Sequence, residues 1–112
     1  MIRIEILDGL ITVSGHACYA PKGKDIVCAA ISTLTETLIE SLKELTPDEF
    51  KIAKSDGRAR IEYKDTLSQR SILLVSSFLI GVKGVVEAYP DRIRFFDHRI
   101  CRGGITAGNL TT

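Results

Sequence analysis

The chain has 112 residues, 45% hydrophobic and 26% charged, with a formal net charge of +1. That length suits one domain able to bury roughly two-thirds of its unfolded surface without staples, and the balanced charge argues against a broad phosphate-binding face. Three cysteines without a charged-then-apolar leader point to a cytoplasmic protein rather than a disulfide framework, and no apolar run approaches the ~20 residues of a membrane span.

Ile2, Ile4 and Ile6 alternate with Arg3 and Glu5, the period of a half-buried strand. Asp8-Gly9 supplies a two-residue hairpin turn, and Ile11, Val13 and Ala17 carry the alternation back along a second strand. His16 falls in the opposite phase, away from the Ile/Val face, unless Gly15 marks a bulge that re-aims it. Tyr19–Lys24 reads as a loop broken by Pro21 and Gly23, with Lys22 and Lys24 solvating it.

From Ile26 to about Leu45 the pattern turns helical. Val27, Ile31, Leu34, Leu38, Leu42 and Leu45 form one stripe, and Thr46-Pro47-Asp48 ends it. Phe50 and Ile52 open a third strand, Asp56-Gly57 forms a second turn, and Ile61 and Tyr63 lie on a fourth strand. Thr66 with Gln69 is a capping-box signature for a second helix whose stripe is Leu67, Leu74, Phe78, Val82 and Val85. Gly81 and Gly84 weaken its last turns, and Ile93 with Phe95 suits a short final strand. This order predicts an α+β two-layer sandwich, β-β-α-β-β-α, with an antiparallel four-stranded sheet and both helices on one face. Residues 1–97 form the domain and 98–112 a flexible tail. The uncovered sheet face makes a homodimer the expected assembly.

The chemistry concentrates between Ser14 and Ser32. Cys28 lies three residues after Asp25, the best N-cap candidate, so its thiol meets the positive end of the helix dipole, which favours the thiolate. It sits about 100° round from Val27, on the flank of the apolar stripe. His16 at the strand end, brought alongside by the loop, would complete the minimum apparatus for cysteine nucleophilic catalysis. Asp25 reads as a cap, as an orienter for His16, or as both. Cys18, two residues from His16 and on the same sheet face of an unbulged strand, reads as a strand-edge packing residue ahead of a catalytic one. His98 and Cys101, with His16, Cys18 and Cys28, supply enough ligand types for a small zinc domain, but zinc favours tight paired spacings. Gly103-Gly104 is too isolated for a phosphate loop, and Arg92, Arg94, Arg99 and Arg102 make a mildly basic, solvated edge.

Gly15-His16-Ala17, Gly23, Asp25-Ile26-Val27-Cys28-Ala29-Ala30 and Ser32, with the twelve-fold His-to-Cys step, resemble the ribosomal-processing cysteine protease family (Prp). The element order and Tyr89-Pro90 after the second helix are also similar, over residues 2 to 96. The resemblance implies a bacterial cytoplasmic endopeptidase, acting as a homodimer with a His–Cys dyad. Its partner would be the N-terminal extension of a large-subunit ribosomal protein. No cofactor or metal is expected, and composition gives no expectation of a membrane or of direct nucleic-acid binding. Cys28 maps to the nucleophile, His16 to the general base and acid, and Gly15, Gly23, Asp25 and Ser32 to supporting positions. Backbone N–H groups at the loop and helix start would hold the oxyanion, and Tyr19–Lys24 would act as a lid. The competing readings are a non-catalytic ribosome-associated binding module and a zinc-binding domain.

Overall fold

A computed structural model describes residues 1–21, 23–64 and 66–99. The chain runs β1 (Ile2–Leu7), β2 (Leu10–Ser14), α1 (Ile26–Leu45), β3 (Lys51–Ser55), β4 (Arg58–Glu62), α2 (Gln69–Ala88) and β5 (Ile93–Asp97). The strands pair in the order β3-β4-β2-β1-β5. The hairpin registers follow from their turns: Leu7 faces Leu10 across Asp8-Gly9, and Ser55 faces Arg58 across Asp56-Gly57.

One face of the sheet carries Ile2, Ile4, Ile6, Ile11, Ile61 and Ile93, all buried against α1 and α2. The alternate residues Arg3, Arg58, Arg60 and Arg94 are exposed on the other face. Both helices therefore lie on one side, as the strand alternation required. On α1 the core takes Val27, Ile31, Leu38 and Leu42, together with Ile39, which has no exposed surface and lies beside the predicted stripe. A side chain so buried contributes about 1.5–3 kcal/mol. Leu45, at the end of that stripe, is instead exposed.

Three expectations are corrected. The sheet is five-stranded and mixed, because β5 adds to the free edge of β1 in parallel, Ile2 opposite Ile93 and Ile4 opposite Phe95. A four-stranded sheet would have left both the β1 edge and the apolar face of Ile93 uncovered. Second, α2 starts at Gln69 with Ser68, not Thr66, as its N-cap. Asp48 decides this: its carboxylate accepts from the Ser68 N–H at 2.9 Å, from the Ser68 hydroxyl at 2.7 Å and from the buried Ser71 hydroxyl, tying the exit of α1 to the entry of α2. Third, α2 is long and apolar enough to cross a membrane by length and composition, contrary to the reading of the sequence. Val75, Phe78, Leu79 and Val82 of this helix lie in the core.

The strands are also shorter than the alternation suggested. Phe50 and Tyr63 flank the β3–β4 ladder and meet edge-on, ring centroids 6.0 Å apart. Past β5, the His98 N–H continues the ladder to the Ile6 carbonyl, and the Arg99 guanidinium pairs with Asp97 at 2.7 Å. The remainder of the expected tail, residues 100–112, lies outside the described residues.

Candidate active site

β2 ends at Ser14, and Gly15 then turns the chain with φ of +88°. Only glycine fits there: a Cβ would run into the Met1 carbonyl, in addition to the left-handed backbone cost. The Gly15 N–H donates to the Gly57 carbonyl at 2.8 Å, tying the strand end to the β3–β4 turn. His16 follows, exposed, with its ring lying over Gly57. Neither the in-phase nor the bulged reading anticipated this, since His16 is already past the strand. Ala17 turns back into the core, 1% exposed.

Cys28 occupies the first turn of α1, half-buried, packed against the core on one side. The Ala17 N–H donates to its Sγ at 3.2 Å. Asp25 organises the surroundings. Its Oδ1 accepts from the Val27 and Cys28 N–H groups, each at 3.0 Å, and its Oδ2 from Tyr19 at 2.9 Å and Ala20 at 3.4 Å. The Cys28 N–H, followed by those of Tyr19 and Ala20, holds the Asp25 carboxyl below the usual carboxylate range. All four bonds go to backbone, so Asp25 caps the helix and clamps the loop, and none goes to His16. The expectation that helix-start N–H groups hold an oxyanion meets a competitor here: those of Val27 and Cys28 are taken by Asp25, and that of Ala29 by the Asp25 carbonyl at 3.0 Å. The Ala17 N–H is the donor that faces the sulfur.

His16 and Cys28 line one cleft of about 820 Å³, between the first half of α1 and the β3–β4 hairpin. His16 and Gly57 stand on the hairpin side, Cys28 and Ser32 on the helix side, and Val13, Ile31 and Ala59 line the cleft with apolar side chains. Lys54 crosses it to Glu36 at 3.0 Å. Among the described residues the His16 ring makes no hydrogen bond with Cys28.

Gly23 holds φ of +87° in the loop with open space around it. The loop's first half is anchored by contacts that the sequence did not reveal. Tyr19 meets Tyr89 edge-on at 5.4 Å, and Arg92 lies over the Tyr19 ring while donating to the Cys18 carbonyl at 3.0 Å. Cys18 itself takes φ of +54° to complete the turn. The zinc reading finds no support in the geometry: His98 lies beside Ile6, at the opposite end of β1 from His16. No group of three His, Cys, Asp or Glu side chains among the described residues is placed to hold a metal, and Cys101 lies outside them.

The family model for the cysteine protease Prp matches residues 1–94. The chain belongs to the Prp family. It is a cysteine protease. The Prp "Ribosomal processing cysteine protease" of Mycoplasma pneumoniae is 53% identical over 102 residues, 88% of this chain and 97% of that one. The Mycoplasma genitalium Prp is 30% identical over 94 residues, 83% and 92% of the two chains. The Prp of Staphylococcus aureus, solved with a covalently linked product peptide, superposes with a TM-score of 0.82 at 27% identity over 87% of this chain and 99% of that one. Its complex with a substrate peptide gives 0.76 at 26% identity, with the same coverage.

Proposed function

We propose that this Prp-family protease is an endopeptidase that removes the N-terminal extension of a bacterial large-subunit ribosomal protein, using Cys28 as nucleophile and His16 as general base and acid. The observation that carries this reading is the placement of Cys28 and His16 in one apolar-lined cleft, with the Ala17 N–H directed at the sulfur. The thiolate attacks the scissile carbonyl, the carbonyl oxygen becomes an oxyanion beside the Ala17 N–H, and His16 gives its proton to the leaving amine. Water then attacks the thioester with His16 as base, regenerating Cys28. A relative held with a covalently linked product peptide supports a covalent route. The His16 ring rests on Gly57 in the same cleft as Cys28, and catalytic contacts often tighten only on binding.

Gly15, Gly23, Asp25 and Ser32 support this chemistry: Gly15 and Asp25 fix the backbone that carries Ala17, Gly23 lets the loop turn, and Ser32 lines the cleft one turn after Cys28. A cytoplasmic, homodimeric enzyme without metal or cofactor fits the family and the open sheet face. The test uses Cys28→Ala, whose half-buried position should leave the fold intact, with peptides spanning the extension and its mature counterpart. The variant should lose cleavage, bind the extended peptide more tightly than the cleaved one, and show slower nicking within residues 19–24 when the extended peptide is bound. Retained cleavage, or equal affinity with no protection, refutes the assignment.

A further inference from the structure

We propose that Gly57, at the tip of the β3–β4 hairpin, is a positioning residue for His16, a role that rests on the Cys28–His16 reading. The evidence is steric. Gly57 adopts φ of +70°, as the Asp56-Gly57 turn requires, and its carbonyl accepts from the Gly15 N–H at 2.8 Å, so the backbone just before His16 is fastened to it. The imidazole occupies the space that a side chain at position 57 would need. A Cβ at position 57 would stand 2.6 Å from His16 Nε2, 3.1 Å from Cε1 and 3.4 Å from Cδ2. Ordinary carbon contacts lie at about 3.5–4.0 Å, so any side chain here displaces the ring by about 1 Å. A displacement of that size at a reacting group costs on the order of 100-fold in rate.

The seat also has a place in recognition. Residues 54–59 of the same hairpin form one wall of the cleft, so a peptide lying between that wall and α1 touches the element that holds the histidine. Gly57 acts by placing His16 and takes no part in bond making or breaking itself. Two substitutions separate its two properties. Gly57→Ala adds both the Cβ and the backbone cost of a left-handed residue, whereas Gly57→Asn adds the Cβ on a residue that tolerates positive φ.

The experiment combines turnover of a spanning peptide, the pH profile of Cys28 alkylation by iodoacetamide, and a cycle with His16→Ala. Both Gly57 variants should remain folded by circular dichroism, lower kcat by on the order of 100-fold with KM changed less than about threefold, and shift the pH profile of alkylation. In the His16→Ala background, Gly57→Asn should leave the alkylation rate within about twofold, because the group it acts on is gone. A folded Gly57→Asn with parental turnover and pH profile overturns the proposal while leaving the Cys28–His16 reading standing. So does an effect on alkylation that persists without His16. Full turnover by His16→Ala removes the Cys28–His16 reading, and the proposal with it. If Gly57→Ala unfolds, Gly57→Asn carries the test; if both unfold, the proposal is tested by the His16 ring resonances of the parent, which should report slow ring motion against the hairpin, and ring resonances averaged like a free side chain's refute it.

Discussion

Two glycines three residues apart on α2 should respond differently to the same substitution. Gly84 has open space where a Cβ would go. Replacing it by alanine recovers the helix propensity of an interior position, about 0.5–1 kcal/mol, a rise in melting temperature of roughly 2–8 °C. Gly81 gains the same propensity but faces α1: its Cβ would lie 2.7 Å from Leu34 Cδ2 and 3.2 Å from Cδ1. The Leu34 side chain must retreat by about 1 Å to reach ordinary contact. Overpacking of this kind costs about 1–3 kcal/mol, so Gly81→Ala should be neutral to destabilising by about 2 kcal/mol. Urea and thermal unfolding of both variants, each also in a Leu34→Ala background, measures the terms separately. Removing the Leu34 methyls should turn Gly81→Ala into a stabilising change like Gly84→Ala. Equal stabilisation by both alanines in the parent, or a coupling between positions 34 and 81 within about 0.3 kcal/mol, refutes the view that Gly81 is the close-contact point of the two helices.

The Asp48 carboxyl is held below the usual carboxylate range by the Ser68 hydroxyl first and the Ser71 hydroxyl next. A folded-state pKa below the unfolded one gives stability that is complete above the ordinary value of about 3.9 and is lost as pH falls through the lower folded value; Asp48→Asn should flatten the acid limb of a stability–pH curve, and an unchanged limb refutes it. Arg92→Ala removes the donor to the Cys18 carbonyl and the cation over Tyr19. Loss of about 1 kcal/mol of local restraint should speed nicking within residues 19–24 roughly fivefold, with the global melting temperature little changed; unchanged nicking shows that Tyr89 and Asp25 hold the loop without it.

The sequence by itself determined what repeats along the chain or depends on neighbours. The alternation of Ile2, Ile4 and Ile6, the Asp-Gly turns and the stripe from Val27 to Leu42 each encode a local period, and a period survives without knowledge of what it packs against. The cap at Asp25 and the first-turn place of Cys28 were legible for the same reason, because a cap is satisfied within three residues. The His16–Cys28 pairing was named through motif spacing and family likeness, and the fold brings both residues to one cleft.

Tertiary structure decided whatever joins distant parts of the chain. β5 pairs in parallel with β1 across most of the sequence, and strand order of that kind leaves no trace in local alternation. Asp48 moves the start of α2 from Thr66 to Ser68 by reaching across from the end of α1. The Gly57 turn was recognisable as a turn, but only the register that sets Ser14 beside Arg58 lays it under His16. The grip of Tyr89 and Arg92 on the loop likewise joins residues some seventy apart. Hydrogen bonds, ring contacts and excluded volume act over a few ångströms of space, and only folding makes such separations short.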